Sequence, residues 1–285
     1  MTRLIENVLL HEPPAALPVP VVFDSPHSGT VYPDDFGFAC PLAKLRQAED
    51  TFVDDLYRSA PAHGAHLLLA LFPRAYIDVN RQLEDMDQAL LDEPWPGPVD
   101  ASEKTAIGKG LIWRLLLGRE PIYDRRLTVA EVTNRIDSFY RPYHATLDGL
   151  IEGTAERYGM VYHVNCHSMP AVVTTLDRPE GIAVADFVLG DRDGTTCEPD
   201  FTELVRETLA GFGYAVKLND PFKGVELVRR HGRPAENRHS LQIEINRRVY
   251  MDEASFEKSD HYPVLAGHID RLIKTITGFA RLRAA

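Results

Sequence analysis

Short apolar runs alternate along this chain with longer stretches of helical periodicity, and several of the runs end in polar groups. Residues 19–23 read as a buried strand that breaks at Asp24-Ser25-Pro26-His27-Ser28-Gly29, where Pro26 and Gly29 force an irregular turn. Residues 50–60 carry Val53, Leu56 and Tyr57 at helical spacing, with Asp50 at the start and Asp54 one turn on. Apolar runs at 66–72 and 75–79 read as further strands, the second ending in Asn80-Arg81. Residues 84–104 are acidic and carry Pro94, Pro96, Gly97 and Pro98, which predicts a long surface excursion with Trp95 as a lid residue or an anchor. Residues 128–158 hold the longest helical pattern: Thr128 and Glu131 form a capping box, Val132, Ile136, Tyr143, Leu147 and Ile151 mark a stripe, and Pro142 predicts a kink.

A strand at 160–162 then delivers His163-Val164-Asn165-Cys166-His167-Ser168, two histidines, an amide, a thiol and a hydroxyl in six residues. Downstream, strands at 182–189, 214–218 and 241–247 alternate with helices at 199–212 and 261–281, separated by turns at 190–195 and 219–224 and a polar loop at 232–240. The alternation predicts an α/β fold with helices on both faces of one sheet. No flexible linker divides residues 1–285, so a single domain is expected.

Composition narrows the function. A formal net charge of −11 disfavours a nucleic-acid or anionic-membrane surface, and no apolar run reaches the roughly 20 residues that span a bilayer. Residues 1–14 have one basic residue, Arg3, and no continuous apolar core, so they do not read as a signal peptide. Cys40, Cys166 and Cys197 are too few and scattered for a disulfide framework, which fits a cytoplasmic protein with reduced thiols.

The strand ends collect His27, Asn80, Arg81, His163, His167 and Glu244, with Asp50 added from the first helix. Two histidines and a carboxylate with one open position make a common catalytic zinc shell. An arginine fork clamps a carboxylate, and a strand glutamate with a raised pKa is a proton carrier. Each has a plainer alternative: Asp50 as a helix cap, Glu244 as an ion-pair partner of Arg247 or Arg248, one histidine as a satisfied core group. A metal-free hydrolase using Cys166 with His163 or His167, and a non-catalytic binding protein, are the readings from other classes.

Six motifs in order resemble the N-formylglutamate amidohydrolase family over about residues 20–255: Ser25-Pro26-His27-Ser28-Gly29, Asp50-Thr51-Phe52-Val53-Asp54, Asp78-Val79-Asn80-Arg81, His167-Ser168-Met169, Asn219-Asp220-Pro221-Phe222-Lys223-Gly224 and Gln242-Ile243-Glu244-Ile245-Asn246-Arg247. That family in turn is similar to the zinc carboxypeptidases and aspartoacylase-type deacylases. The resemblance implies a phosphorylase/hydrolase-like, zinc-carboxypeptidase-like fold: a twisted, mixed, eight-stranded sheet. It implies one zinc (or another divalent metal) on His27, His167 and a carboxylate, Asp50, with Asp54 and Glu49 as rivals. Thr30 stands where the wider superfamily has a liganding glutamate. It further implies Glu244 as general base and Asn80 and Arg81 on an α-carboxylate. Arg247 and Lys223 are the implied candidates for the glutamate side-chain carboxylate. The implied reaction is hydrolysis of N-formyl-L-glutamate to formate and L-glutamate, as in one route of histidine degradation. Deacylation of another N-acyl amino acid or small peptide is the alternative. The expected partner is a small acidic substrate, with the chain a monomer or small homo-oligomer.

Overall fold

A computed structural model of the chain describes residues 2–116, 120–173 and 181–284. Eight strands form one sheet: β1 (Arg3–Ile5), β2 (Leu9–Glu12), β3 (Val21–Ser25), β4 (His66–Ala70), β5 (Val161–Met169), β6 (Phe187–Gly190), β7 (Val216–Leu218) and β8 (Arg238–Asn246). Their spatial order is β1-β2-β4-β3-β5-β8-β6-β7. The pairs β4–β3, β3–β5, β5–β8 and β6–β7 are parallel. The pairs β1–β2, β2–β4 and β8–β6 are antiparallel. The sheet is therefore mixed, as expected.

Side chains alternate between the two faces of a strand, and the central strands use this fully. Val21, Phe23, Tyr162, Val164, Cys166, Leu241, Ile243 and Ile245 enter one core, under α1 (Val53–Tyr57), α4 (Pro199–Gly211) and α6 (Tyr262–Arg283). Val22, Leu68, Ala70 and Val161 enter the other, under α3 (Arg141–Tyr158). Other helices include α2 (Val129–Arg135) and the short α5 (Glu226–His231).

Several features refine or differ from the sequence expectation. Residues 75–79 are turns, not a strand: Pro73 accepts from the Tyr76 N–H and Leu111 from the Asp78 N–H, so the backbone is satisfied without a ladder while Tyr76, Ile77 and Val79 are buried. Residues 84–104 are anchored, with Asp85 accepting from Ser102 N and Oγ at 2.8 and 2.9 Å and Trp95 packed against the core. Pro142 does not break the helix; a π-helical turn at Ile136–Tyr140 absorbs the misfit, with proline in the first turn of α3. The strand at 160–162 runs on to Met169, so the polar run lies within the strand rather than beyond it. The first strands pair as β1 and β2, which composition had left unread.

Helix α1 starts only at Val53, after Phe52 at a φ of 67°, so Asp50 lies before it and caps nothing. The backbone from Ser25 to Gly29 passes against that of 71–72. A Cβ on Gly29 would lie 2.3 Å from the Leu71 carbonyl carbon and the Phe72 oxygen. We expect Gly29→Ala to cost about 2–3 kcal/mol, read as a lower urea midpoint at unchanged slope; an unchanged midpoint would refute this close packing.

Candidate active site

Because Val164 and Cys166 face the core under α1, α4 and α6, His163, Asn165 and His167 share the opposite face of β5. The pairing register sets Ser240, Gln242 and Glu244 of β8 beside His163, Asn165 and His167. On the other side, Asp24 of β3 lies beside Asn165. A buried polar ladder thus crosses the three central strands.

Asp24 anchors it. One carboxylate oxygen accepts from His163 Nε2 at 2.9 Å and Asn165 Nδ2 at 2.8 Å, the other from the Tyr143 hydroxyl at 2.7 Å. Burial alone would raise the Asp24 carboxyl; attraction to His163 and the hydrogen bonds from His163, Asn165 and Tyr143 hold it below the usual range instead. His163 Nδ1 lies 2.7 Å from Ser240 Oγ, so both ring nitrogens are satisfied and His163 is the structural histidine of the pair.

The same network fixes His167. Carboxylate oxygens only accept, so the Asn165 amide must turn its NH2 to Asp24 and its Oδ1 to His167 Nε2, 2.6 Å away. Nε2 therefore carries the proton. Burial lowers the His167 pKa against the pull of Asp50, and with the proton on Nε2 the neutral ring keeps its lone pair on Nδ1. His27 is fixed the same way, its Nε2 donating to Asp78 Oδ1 at 2.8 Å. The two Nδ1 atoms face each other at 3.1 Å, and Asp50 Oδ2 lies 3.0 Å from one and 3.4 Å from the other. With both rings neutral, three acceptor atoms converge there. Ligands of a tetrahedral ion at about 2.0–2.1 Å are about 3.4 Å apart, so this group can hold a metal ion, and it is the cluster that does so among the described residues. A carboxylate on the outer nitrogen of a liganding histidine is the usual supporting arrangement.

Asp50, not its rivals, joins the histidines. Burial would raise its carboxyl, but the adjoining His167 and His27 rings and the charge of Arg74 hold it well below the usual range. Glu49 is turned toward the Tyr32 hydroxyl at 2.5 Å and Arg46. Asp54 stands in the first turn of α1, outside the cluster.

Glu244, opposite His167, accepts from Gln242 Nε2 at 3.1 Å. Burial first, then Asp50, push its carboxyl well above the usual range, against Arg74, Arg247 and Lys104. Asn80 Oδ1 accepts from the Leu227 N–H, and its Nδ2 touches His167 Nε2 at 3.3 Å. Buried Arg81 gives Nε to the Lys109 carbonyl and Nη1 to the Asn80 carbonyl. A cavity of about 190 Å³ opens beside Arg81 and is lined by Asp85, Arg192, Glu226 and Arg229, without the three converging residues. Arg247 is a clamp: it donates to Ser168 Oγ, the Gln47 carbonyl and the Glu49 carbonyl, and reaches Asp50 Oδ1 at 3.4 Å. Lys223 is not brought to the cluster; it is exposed and paired with Asp193 at 2.8 Å.

Sequence reasoning gave no role to Asp78, Arg74, Trp113 or Asn165. Asp78 Oδ2 receives Arg74 Nε and Nη2 at 3.2 and 2.9 Å and Trp113 Nε1 at 3.2 Å. The one available signal was Asp78 itself, two residues before Asn80-Arg81.

Residues 19–251 match the N-formylglutamate amidohydrolase family. The chain belongs to this family. It is 28% identical over 240 residues to an N-formylglutamate deformylase of Pseudomonas putida, covering 82% of this chain and 83% of that one. It is 26% identical over 273 residues to the enzyme of the same name from Pseudomonas aeruginosa, covering 94% and 96%. The crystal structure of an N-formylglutamate amidohydrolase from Ralstonia eutropha JMP134 superposes with a TM-score of 0.93 at 48% identity, covering 98% of this chain and all of the other. The family match takes in every strand and loop that builds the polar ladder and the converging triad.

Removing Asp24 strips His163, Asn165 and Tyr143 of their common acceptor. We expect Asp24→Ala to cost about 3–5 kcal/mol at neutral pH. Because the folded-state pKa is depressed, the carboxylate's contribution is full above about pH 3.9 and fades as pH falls through the folded value. Urea titrations should show the gap between wild type and variant closing in acid; a gap that grows in acid would contradict this network.

Proposed function

We propose that the chain hydrolyses the N-formyl amide of N-formyl-L-glutamate to formate and L-glutamate on a single divalent metal, zinc by the ligand chemistry. The observation that carries this is the convergence of His27 Nδ1, His167 Nδ1 and Asp50 Oδ2 directly beside a buried glutamate. The names of the P. putida, P. aeruginosa and R. eutropha relatives support the substrate. One sheet joining residues 3 to 246 supports a single domain.

His27, His167 and Asp50 would hold the ion. When bound, such an ion supplies an acidified water and a polarised carbonyl; imidazole and carboxylate donors suit zinc, with cobalt, manganese or iron as substitutes. Asp78 and Asn165 keep both histidines in the tautomer that leaves Nδ1 free. Glu244 takes the proton from the attacking water and returns it to the amide nitrogen as the C–N bond breaks. Its raised pKa favours holding that proton before handing it on. Arg74, 3.8 Å from Asp50 and bonded to Asp78, places a fixed positive charge at the edge of the cluster, where negative charge develops on the formyl oxygen. Arg81 has Nη2 left for an α-carboxylate after Nε and Nη1 are engaged, and Asn80 is held alongside.

Cys166 takes no part. It lies in the core on the far face of β5, with its thiol pKa raised by burial.

The test is glutamate release from N-formyl-L-glutamate by purified, metal-analysed protein. A chelator should abolish turnover and zinc restore it. Folded, zinc-loaded protein without turnover would refute the substrate. Turnover surviving complete metal removal would refute the metal. Glu244→Gln should lower kcat about 10²-fold or more at unchanged metal content; a smaller effect removes Glu244 from the proton path. Cys166→Ala should keep kcat within about twofold while losing on the order of 1–2 kcal/mol of stability; loss of activity at intact fold would bring back thiol chemistry.

A further inference from the structure

Hydrolysis of a dicarboxylic substrate, the reading proposed above, needs a second cation for the side-chain carboxylate. Arg247 is occupied by Ser168, Gln47 and Glu49, and Lys223 by Asp193. The structure supplies another group. Lys109 bridges to Trp113 across a tight turn, and its Nζ lies 4.9 Å from the Trp113 ring centre. Arg74 lies 5.0 Å from the centre of the same ring. Trp113 in turn donates its indole N–H to Asp78, the carboxylate that holds His27. Lys109 is thus carried on a ring tethered to the converging triad through two hydrogen bonds, Trp113 to Asp78 and His27 to Asp78. Its own carbonyl accepts from Arg81 Nε at 3.0 Å, which ties it to the arginine assigned to the α-carboxylate.

Lys109 is half-buried, yet among the described residues its ammonium has neither a carboxylate partner nor a side-chain hydrogen bond. Lysines removed from water are ordinarily paired. The carboxylates nearby are already engaged: Asp78 by Arg74 and His27, Asp85 by Ser102 and Thr105, Asp50 by the histidines. Burial first, then Arg74, Lys104, Arg81 and Arg247, bring the Lys109 pKa down to about 8, the mark of a wall of like charge. In a chain of net charge −11 such a wall is a local exception.

We propose that Lys109 is a specificity-determining residue that receives the side-chain carboxylate of a dicarboxylic N-acyl amino acid, on the indole face of Trp113, with Lys104 at its flank. Trp113 pre-orients the ammonium, and Arg81 sets its distance from the α-carboxylate. The substrate's second negative charge supplies the missing counter-ion.

The test compares kcat/KM on N-formyl-L-glutamate and N-formyl-L-glutamine, which differ only in that charge. Wild type should favour glutamate. Lys109→Gln and Lys109→Met should each shrink the glutamate-to-glutamine ratio by about tenfold or more, mainly through KM for glutamate, and Lys109→Arg should restore most of it. A ratio unchanged in either folded variant, or an equal loss on both substrates, overturns the role of Lys109 while leaving the hydrolase reading intact. Wild type inactive on both substrates overturns the underlying reading and this inference with it.

Discussion

The direction of one amide governs this site. Asn165 lies between a carboxylate that can only accept and an imidazole nitrogen that must then donate. Were the amide reversed, two acceptors would face each other across 2.8 Å inside the sheet, a contact that burial makes expensive. Asp24 therefore decides the His167 tautomer from one residue away, and through it the lone pair that faces His27 and Asp50. Asp78 does the same for His27 from the other side. The converging triad is less a property of its three members than of the two carboxylates behind them.

Charge is sorted on this face by how much freedom each cation keeps. Arg247 spends its donors on the backbone at Gln47 and Glu49, so it fixes the segment that carries Asp50. Arg74 gives two nitrogens to Asp78 and keeps its third near Asp50. Among the described residues, Arg81 keeps one nitrogen unengaged and Lys109 its whole ammonium. The progression runs from structural clamp to unengaged cation. Burial and Asp50 push the Glu244 carboxyl upward in this field, opposite His167.

Much of this was legible from residue order. The alternation in 241–247 gave β8 and put Gln242 and Glu244 on one face, and the motif residues His27, Asp50 and His167 came together. What stayed hidden was decided by neighbours distant in sequence. His163 and His167 are equivalent by spacing, both on the polar face of β5; Ser240 and Asp24 satisfy the first, and nothing satisfies Nδ1 of the second but the triad. Arg247 carries the right charge but meets carbonyls, whereas Arg74 sits in an unremarked Pro73-Arg74 pair. The run at 75–79 misled because buried turns and buried strands share an apolar composition. In this fold those five residues place Asp78 and Asn80 by bonding to Leu111 instead of to a strand.

The helix behind the site shows why local irregularity matters here. Its inward positions, Val132, Ile136, Tyr140 and His144, recur in steps of four, and each such step drifts about 40° around an ideal α-helix. The π-helical turn at Ile136–Tyr140 widens the helix where that drift would accumulate and brings the next residues back to the sheet. Three of them then act on the site's backing. The Tyr140 hydroxyl donates to the Arg81 carbonyl at 2.8 Å, Tyr143 to Asp24 at 2.7 Å, and the His144 ring to the Val79 carbonyl at 2.9 Å. A straight helix would have to choose between packing its first half and supplying these bonds with its second. The extra residue in one turn lets a single helix seal the core and hold Asp24, Val79 and Arg81 in register with the strands they serve.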